Sequence, residues 1–430
     1  MQAERLIAKT APEDPRAKAA AKRPTAARRR ARAPASKPAT APVEAQAPLG
    51  ANALVAQLTE WAALGYHGLR STLFFAESLP LLWPQRPGVR RRPTRAKHDD
   101  AEAATGRRPR RATAPRAPSR AEVETVLARL RALFEHDARQ IARGVIPLAT
   151  LAPRDPLGHG RSFLRILGDT PSVASRRKRR DARDFGREAR GWLDELPAYY
   201  RRNFHYQTDG YLSPRSAELY EHQVELLFRG GADAMRRLVV PPLRRHFGSD
   251  HDGRGLRLLE LGSGTGSATH AVARALPRAK LTCVDLSFPY TRHARRALAA
   301  YERVECIQGD AANLDFGAAR FDAVYSVFLF HELPLPVREQ VLAEAWRVLR
   351  PGGFFGLVDS LQRGDDPALD WALGFFPREF HEPYYAHYAT HAMEPLVRAA
   401  GFERLERGTG YLAKWISAVR GALNPPDTPG

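Results

Sequence analysis

The chain has little sulfur, a shortage of acid and no long apolar run, and each lack removes a class of function. Only two cysteines, Cys283 and Cys306, occur in 430 residues. They show no Cys-x-x-Cys spacing, so neither a zinc site nor a disulfide framework is expected, and no metal is assigned. Buried reduced thiols in a cytoplasmic protein are the expectation. No apolar stretch reaches the roughly 18 residues that a membrane span needs. The first 40 or so residues lack the apolar core of a secretory signal. Glu4, Glu13 and Asp14 come early for an arginine-rich transit peptide. Acid is outnumbered: 47 Asp and Glu face 67 Lys and Arg, a formal net charge of +20. The imbalance is local, because residues 1–120 hold 24 Lys/Arg and 9 Asp/Glu, a surplus of 15. The basic character belongs to an extension, and it points to nonspecific contact with a polyanion, nucleic acid or anionic lipid, through residues 1–120.

What is present falls into six stretches. Residues 1–48 are rich in Ala, Pro and Arg and cannot bury enough surface to fold. Residues 86–120 repeat that composition, with Arg90-Arg91-Arg92 and Arg107-Arg108-Pro109-Arg110-Arg111. Between them, residues 49–85 form an apolar island, Ala51 to Trp83, expected as a helix or helical hairpin. It is able to dock on a partner, on the body or on a membrane surface. Residues 121–247 read as a helical cap: Val123, Val126, Leu127, Leu130, Leu133 and Phe134 recur at helical spacing. A dense polar-aromatic cluster, Tyr199 to Tyr211, precedes a helical segment from Ser216 to Phe228. Residues 248–420 alternate strands with helices, and 421–430 are expected to be disordered.

The most informative passage is Leu258-Leu259-Glu260-Leu261-Gly262-Ser263-Gly264-Thr265-Gly266. An apolar strand ends in an acid, and three glycines let the backbone approach a ligand, because no Cβ is in the way. The nearest competitor is the dinucleotide fingerprint Gly-x-Gly-x-x-Gly of a nicotinamide oxidoreductase. Here the third glycine comes one residue early. A second strand, Lys280 to Asp285, ends in an acid nineteen residues after Gly266, near the roughly 20-residue interval of a ribose-binding carboxylate. The other reading of Asp285 is a helix cap. A third strand, Val304 to Ile307, leads to Gly309-Asp310-Ala311. A fourth, Phe321 to Phe328, runs into His331-Glu332-Leu333-Pro334. A helix from Val337 to Leu349 meets Arg350-Pro351-Gly352-Gly353 and then a fifth strand, Phe354 to Asp359. Alternation of this kind implies a doubly wound α/β sheet with ligands at the carboxyl ends of the strands.

An acid followed by Gly-x-Gly-x-Gly, with Leu-Arg-Pro-Gly-Gly between a helix and a strand, resembles the class I methyltransferases that use S-adenosylmethionine (SAM). The resemblance runs from about Leu256 to Trp415. It implies a seven-stranded sheet closed by an antiparallel pair, Phe402–Arg407 and Leu412–Ile416. It also implies SAM as cofactor, held by Glu260, Gly262, Ser263, Gly264, Gly266, Asp285, Leu286, Asp310 and Ala311. Asp310 stands at the adenine-contacting position and Ala311 beside it. The turn His331–Pro334 looks most like the small-molecule branch that includes quinone methyltransferases. No Asn-Pro-Pro-Tyr motif of base-amino methyltransferases occurs. The implied activity is methyl transfer to a small-molecule acceptor. The alternatives are a nucleic-acid-associated methyltransferase recruited by its basic tail, and a Rossmann-type oxidoreductase.

Methyl transfer needs a base only if the acceptor must lose a proton. His331, at the end of the fourth strand, is the candidate. Two clusters rich in Tyr and His, Tyr199–Tyr211 and Phe380–Tyr388, are expected to meet over the carboxyl end of the sheet. Within them His205, Tyr206, Tyr211, His381, Tyr384 and Tyr385 are candidate substrate residues.

Overall fold

The structure, a computed structural model, describes residues 51–82, 118–153, 155, 158–374, 377 and 380–421. The expectations for residues 1–48, for most of 86–120 and for 422–430 lie outside the described residues.

Seven strands form one sheet: β1 (Arg257–Leu261), β2 (Lys280–Asp285), β3 (Val304–Gln308), β4 (Phe321–Val327), β5 (Leu349–Ser360), β6 (Phe402–Gly410) and β7 (Ala413–Arg420). Their order is β3-β2-β1-β4-β5-β7-β6. The first five are parallel, and β7 runs antiparallel to both β5 and β6. The chain winds outward from β1 to β3, then returns to lay β4 on the other side of β1. That reversal leaves a crevice at the carboxyl ends of β1 and β4.

The strands form because both faces of the sheet are covered, and such strands read as near-continuous apolar runs. Alternate residues go to opposite faces. On one face Leu258, Leu281, Ala323, Tyr325 and Phe354 pack with the helices α2 (Arg120–Ala142), α7 (Val240–Phe247) and α8 (Ser267–Ala275). On the other, Leu259, Leu261, Val324, Phe355 and Leu357 pack with α10 (Leu335–Val348) and with Tyr388 and Met393. Helix α9 (Phe288–Ala297) follows β2, capped by the Ser287 side chain. Arg350-Pro351-Gly352-Gly353 is not an exit turn after α10. It lies inside β5, where Gly352 takes φ 75° and the register against β4 shifts between Phe321 and Ala323.

Ahead of the sheet stand α1 (Ala51–Leu82), α2, α3 (His159–Arg179), α4 (Arg187–Arg190), α5 (Pro214–Leu227), α6 (Ala232–Arg236) and α7. The apolar island is one helix of 32 residues, not a hairpin. Leu130, Leu133 and Phe134 of α2 share a core with Leu258 and Leu281, so apolar packing is continuous across residue 247. His67, Arg70 and Glu77 of α1 point inward. His67 Nε2 lies 2.9 Å from Asp137, which also accepts two hydrogen bonds from Arg237. Arg70 pairs with Glu225 at 2.9 Å. Glu77 accepts from His159 and His222 at 2.7 and 2.9 Å. Among the described residues no helix is long and apolar enough to cross a membrane.

Candidate active site

The cleft lies where the topology predicts it. Its floor is Gly262, Gly264, Asp285, Leu286, Asp310, Ala311, Phe328, Leu329 and Glu332, and its roof is five tyrosines, Tyr199, Tyr200, Tyr211, Tyr220 and Tyr290. Three carboxylates and no basic side chain stand among the described residues that line it.

Backbone geometry sets the floor. Gly262, Gly264 and Gly266 all take positive φ, at 67°, 55° and 83°. Their roles differ. A Cβ at Gly262 would meet Leu329 Cδ1 at 2.9 Å, and one at Gly266 would meet Leu298 Cδ1 at 2.7 Å. A Cβ at Gly264 meets nothing within 4 Å, because it would enter the cleft. Gly264→Ala is therefore expected to cost folding only the roughly 1–2 kcal/mol of its positive φ while weakening ligand binding in the cleft by tenfold or more. Gly266→Ala, which adds a clash with Leu298 to the same backbone strain, should lower the thermal midpoint further. Calorimetry with S-adenosylhomocysteine and a melting curve of each variant check the pair.

Asp285 is the anchored acid. Gly264 N donates to its Oδ2 at 2.7 Å and Ser287 N to its Oδ1 at 2.8 Å. Each oxygen is thus oriented, with lone pairs left for a ligand. Burial pushes this carboxyl up to about 6, against the pull of the two N–H groups.

Glu260 is not at the cleft. It is buried one layer beneath, 2% exposed, and accepts from Thr269 Oγ1 at 2.5 Å and Tyr325 OH at 2.8 Å. Burial pushes its pKa up to about 7 despite those donors. It ties β1 to α8 and β4, a structural role for a residue the glycine motif had marked as a ligand contact. Ser263 and Gly266 shape the turn but do not line the cleft either.

The two aromatic clusters meet. His205 N donates to the His381 carbonyl at 3.1 Å, and the Tyr206 and His381 rings stand 5.6 Å apart. Tyr384 OH donates to the Tyr199 carbonyl at 3.4 Å. Of the six candidate substrate residues only Tyr211 lines the cleft. His205, Tyr206, His381, Tyr384 and Tyr385 form the layer behind it. Tyr200, Tyr220 and Tyr290 complete the wall. For Tyr220 and Tyr290, in helices α5 and α9, the sequence carried no signal beyond residue type.

Glu332 is the centre of a polar network. Tyr211 OH donates to its Oε1 at 2.5 Å. His205 Nε2 is 3.0 Å from Tyr211 OH and 3.4 Å from Glu332, while its Nδ1 is 3.2 Å from Glu382. His331 Nδ1 is 2.6 Å from Asp359 Oδ1, and its Nε2 is 3.8 Å from Glu332. His331 itself does not line the cleft. The backbone here is strained. His205, Tyr206 and Asp209 take φ of 56°, 55° and 63°, and Phe328 at the end of β4 takes 57°. Such residues cost on the order of 1–2 kcal/mol each and concentrate at functional sites.

Both histidines hold a proton at neutral pH. Burial opposes the charge on His331, yet Asp359, then Glu332 and Glu382, raise it from 6.5 to about 9. Burial likewise opposes His205, and Glu332 and Glu382 overcome it and raise it to about 10. A folded-state pKa above the unfolded value stabilises fully below the unfolded value and is lost as pH rises through the folded one. The rise of His331 from 6.5 to about 9 corresponds to on the order of 3 kcal/mol. Urea unfolding should therefore show a loss of stability as pH rises from 6.5 to about 9, and a His331→Asn variant should show a smaller loss over that window. Equal slopes would contradict the pairing.

The two cysteines are buried as their place in core strands implies, whereas the acid–histidine cluster beside helix α1 had no sequence signal. Cys283 and Cys306 are register partners on β2 and β3, both buried and free. Glu77, His159 and His222 bring one ligand-type atom each within 4.8 Å of one another, on helices α1, α3 and α5. They do not line the glycine-loop cleft.

Residues 258–353 match a family described as a methyltransferase domain. A fatty-acid O-methyltransferase of Mycolicibacterium smegmatis is 37% identical over 126 residues, 29% of this chain and 45% of that protein. A phosphatidylethanolamine N-methyltransferase of Cereibacter sphaeroides is 35% identical over 138 residues, 31% of this chain and 66% of that protein. A Haemonchus contortus phosphoethanolamine N-methyltransferase 2, solved in complex with S-adenosyl-L-methionine, is 15% identical, with a TM-score of 0.34 over 42% of this chain and 51% of its own. The chain spans about half the length of the curated relatives it matches.

Proposed function

We propose, from the membership of residues 258–353 in the class I SAM-dependent methyltransferase superfamily, that this chain methylates a small-molecule acceptor. The observation that carries the reading is the floor of the cleft. There a glycine whose missing Cβ opens the space sits hydrogen-bonded to a buried, oriented aspartate. The residues fit SAM. Gly262 and Gly264 give close backbone approach, Asp285 offers two oxygens to adjacent ribose hydroxyls, and Asp310 and Ala311 stand where an adenine would lie. The tyrosine roof offers π-faces, which attract a cation. When bound, SAM supplies a methyl group on a sulfonium.

The remaining chemistry belongs to the chain. The roof excludes water and holds the acceptor close, and proximity alone supplies much of the rate. The base is Glu332 rather than His331. Glu332 faces the cleft with a free lone pair, whereas His331 stands behind it and already carries its proton. Glu332 would take the proton of an acceptor O–H or N–H, freeing the acceptor's lone pair for the methyl group that SAM would supply. His331 and His205 act as positioning residues that hold Glu332 in place, at 3.8 and 3.4 Å.

The carboxylate lining favours a neutral or amine-bearing acceptor over an anionic one. It also argues against nucleic acid as the methyl acceptor, since phosphates would face Asp285, Asp310 and Glu332. The sheet departs from the parallel 3-2-1-4-5-6 order of dinucleotide folds, because β7 intervenes antiparallel between β5 and β6. That favours methyl transfer over hydride transfer. The surplus of 15 positive charges in residues 1–120 supports a second element, contact with a polyanionic surface. The acceptor class is tested with methyl-labelled SAM and a panel of phenols, quinols, amines and carboxylic acids. Label in a neutral or amine acceptor is expected, and label only in carboxylic acids would overturn the acceptor reading.

A further inference from the structure

Helix α1 is turned inside out. Its three charged residues, Glu60, Arg70 and Glu77, are all partly buried, and the latter two are paired with the body. Every exposed side chain along it is uncharged. Leu54, Leu58, Trp61, Leu69, Phe75 and Leu79 are all exposed, Trp61 by 60% and Leu69 by 75%. At 3.6 residues per turn these six fall within an arc of roughly 120° on a helix roughly 48 Å long. A contiguous apolar face of this kind marks an interaction site, since isolated exposed apolar residues would not align. The ion pairs on the inner side fix the rotation of the helix, so the face cannot roll inward without burying unpaired charges.

We propose that this face lies on an anionic membrane surface, with its apolar side chains at the boundary between headgroups and acyl chains. Three observations select this occupant. The helix is not apolar enough to span a bilayer, which limits any membrane contact to the surface. Trp61 and Phe75 are side chains suited to the interface. The sequence on either side is basic: residues 1–50 hold 11 Lys/Arg against 4 Asp/Glu, and residues 83–119 hold 11 against 3. Basic tracts beside an apolar helix attract anionic lipid. A second copy of the chain would bring like charges together on both sides of the same helix. Nucleic acid would match the flanks but leave the apolar face in water. The charge part of the proposal rests on the polyanion reading above, and the apolar part rests on α1 alone.

The test uses the full chain and large unilamellar vesicles, one set of phosphatidylcholine and one containing 30% phosphatidylglycerol. Sedimentation should show at least tenfold tighter partitioning to the anionic vesicles. A blue shift of tryptophan emission on binding should be lost in Trp61→Phe. Leu58→Glu/Leu69→Glu changes only exposed positions, and S-adenosylhomocysteine binding checks that the variant is folded. It should partition at least tenfold more weakly than the parent. Equal partitioning of parent and variant, abolished by 0.5 M salt, would leave the basic tracts as the whole interaction and overturn the role of α1. No preference for anionic vesicles would overturn both parts. A concentration-dependent oligomer in light scattering, dissolved by the same double variant, would assign the face to a second copy.

Discussion

Asp285→Ala should weaken S-adenosylhomocysteine binding by about a thousandfold while leaving the fold intact. Two hydrogen bonds from ribose hydroxyls to an ionised carboxylate are worth roughly 1.5–3 kcal/mol each. The side chain is pre-oriented by Gly264 N and Ser287 N, so little of that is spent on ordering it. The same acid sets a pH limit. Burial raises Asp285 to about 6, so affinity should fall as pH drops through 6, where the protonated carboxyl loses acceptor capacity. Calorimetry at pH 7.5 and 5.5 reads both effects. An Asp285→Ala variant that binds like the parent would remove the cofactor site from this cleft.

Glu332→Gln should lower turnover by roughly 10²–10⁴, the usual contribution of a positioned general base, with S-adenosylhomocysteine affinity changed little. Glutamine keeps the shape and still accepts from Tyr211 OH, but it cannot take a proton. His331→Ala should have a smaller effect, and of a different kind. Without the imidazole, whose Nε2 stands 3.8 Å from Glu332, the carboxylate is held less firmly at the cleft, so turnover falls modestly while S-adenosylhomocysteine affinity stays. A His331 that serves only to hold the fold would lower the thermal midpoint and S-adenosylhomocysteine affinity together with turnover. Full turnover in Glu332→Gln would show that the acceptor needs no base, or that the base is elsewhere.

The sheet was legible in the sequence because parallel strands buried on both faces are runs of apolar residues between turn signals. β2 has the expected bounds, β3 and β4 differ by one residue at an end, and β1 by one at each end. β5 was harder to read. A Pro-Gly-Gly sequence signals a turn, yet the pairing of Leu349 with Phe321 carries the strand through it as a bulge. The floor of the cleft was legible as far as backbone chemistry sets it: Gly262, Gly264, Asp285, Asp310 and Ala311 line it. Glu260 was not, since an acid next to a glycine loop reads as a ligand contact whether it faces the cleft or, as here, Tyr325 and Thr269. The acceptor side was legible only as two clusters. Which tyrosine of Tyr199–Tyr211 points into the cleft depends on positive φ at His205, Tyr206 and Asp209, which no side-chain pattern announces. Residue type favoured His331 as base. Its burial against Asp359 and the position of Glu332 in front of it are properties of the packed state.

The most direct test of the central claim is a pair of titrations of the folded chain by isothermal calorimetry, one with S-adenosylhomocysteine and one with NADH. The cleft described here predicts one equivalent of S-adenosylhomocysteine bound and no heat of binding from NADH. Saturable NADH binding with none of S-adenosylhomocysteine would contradict it.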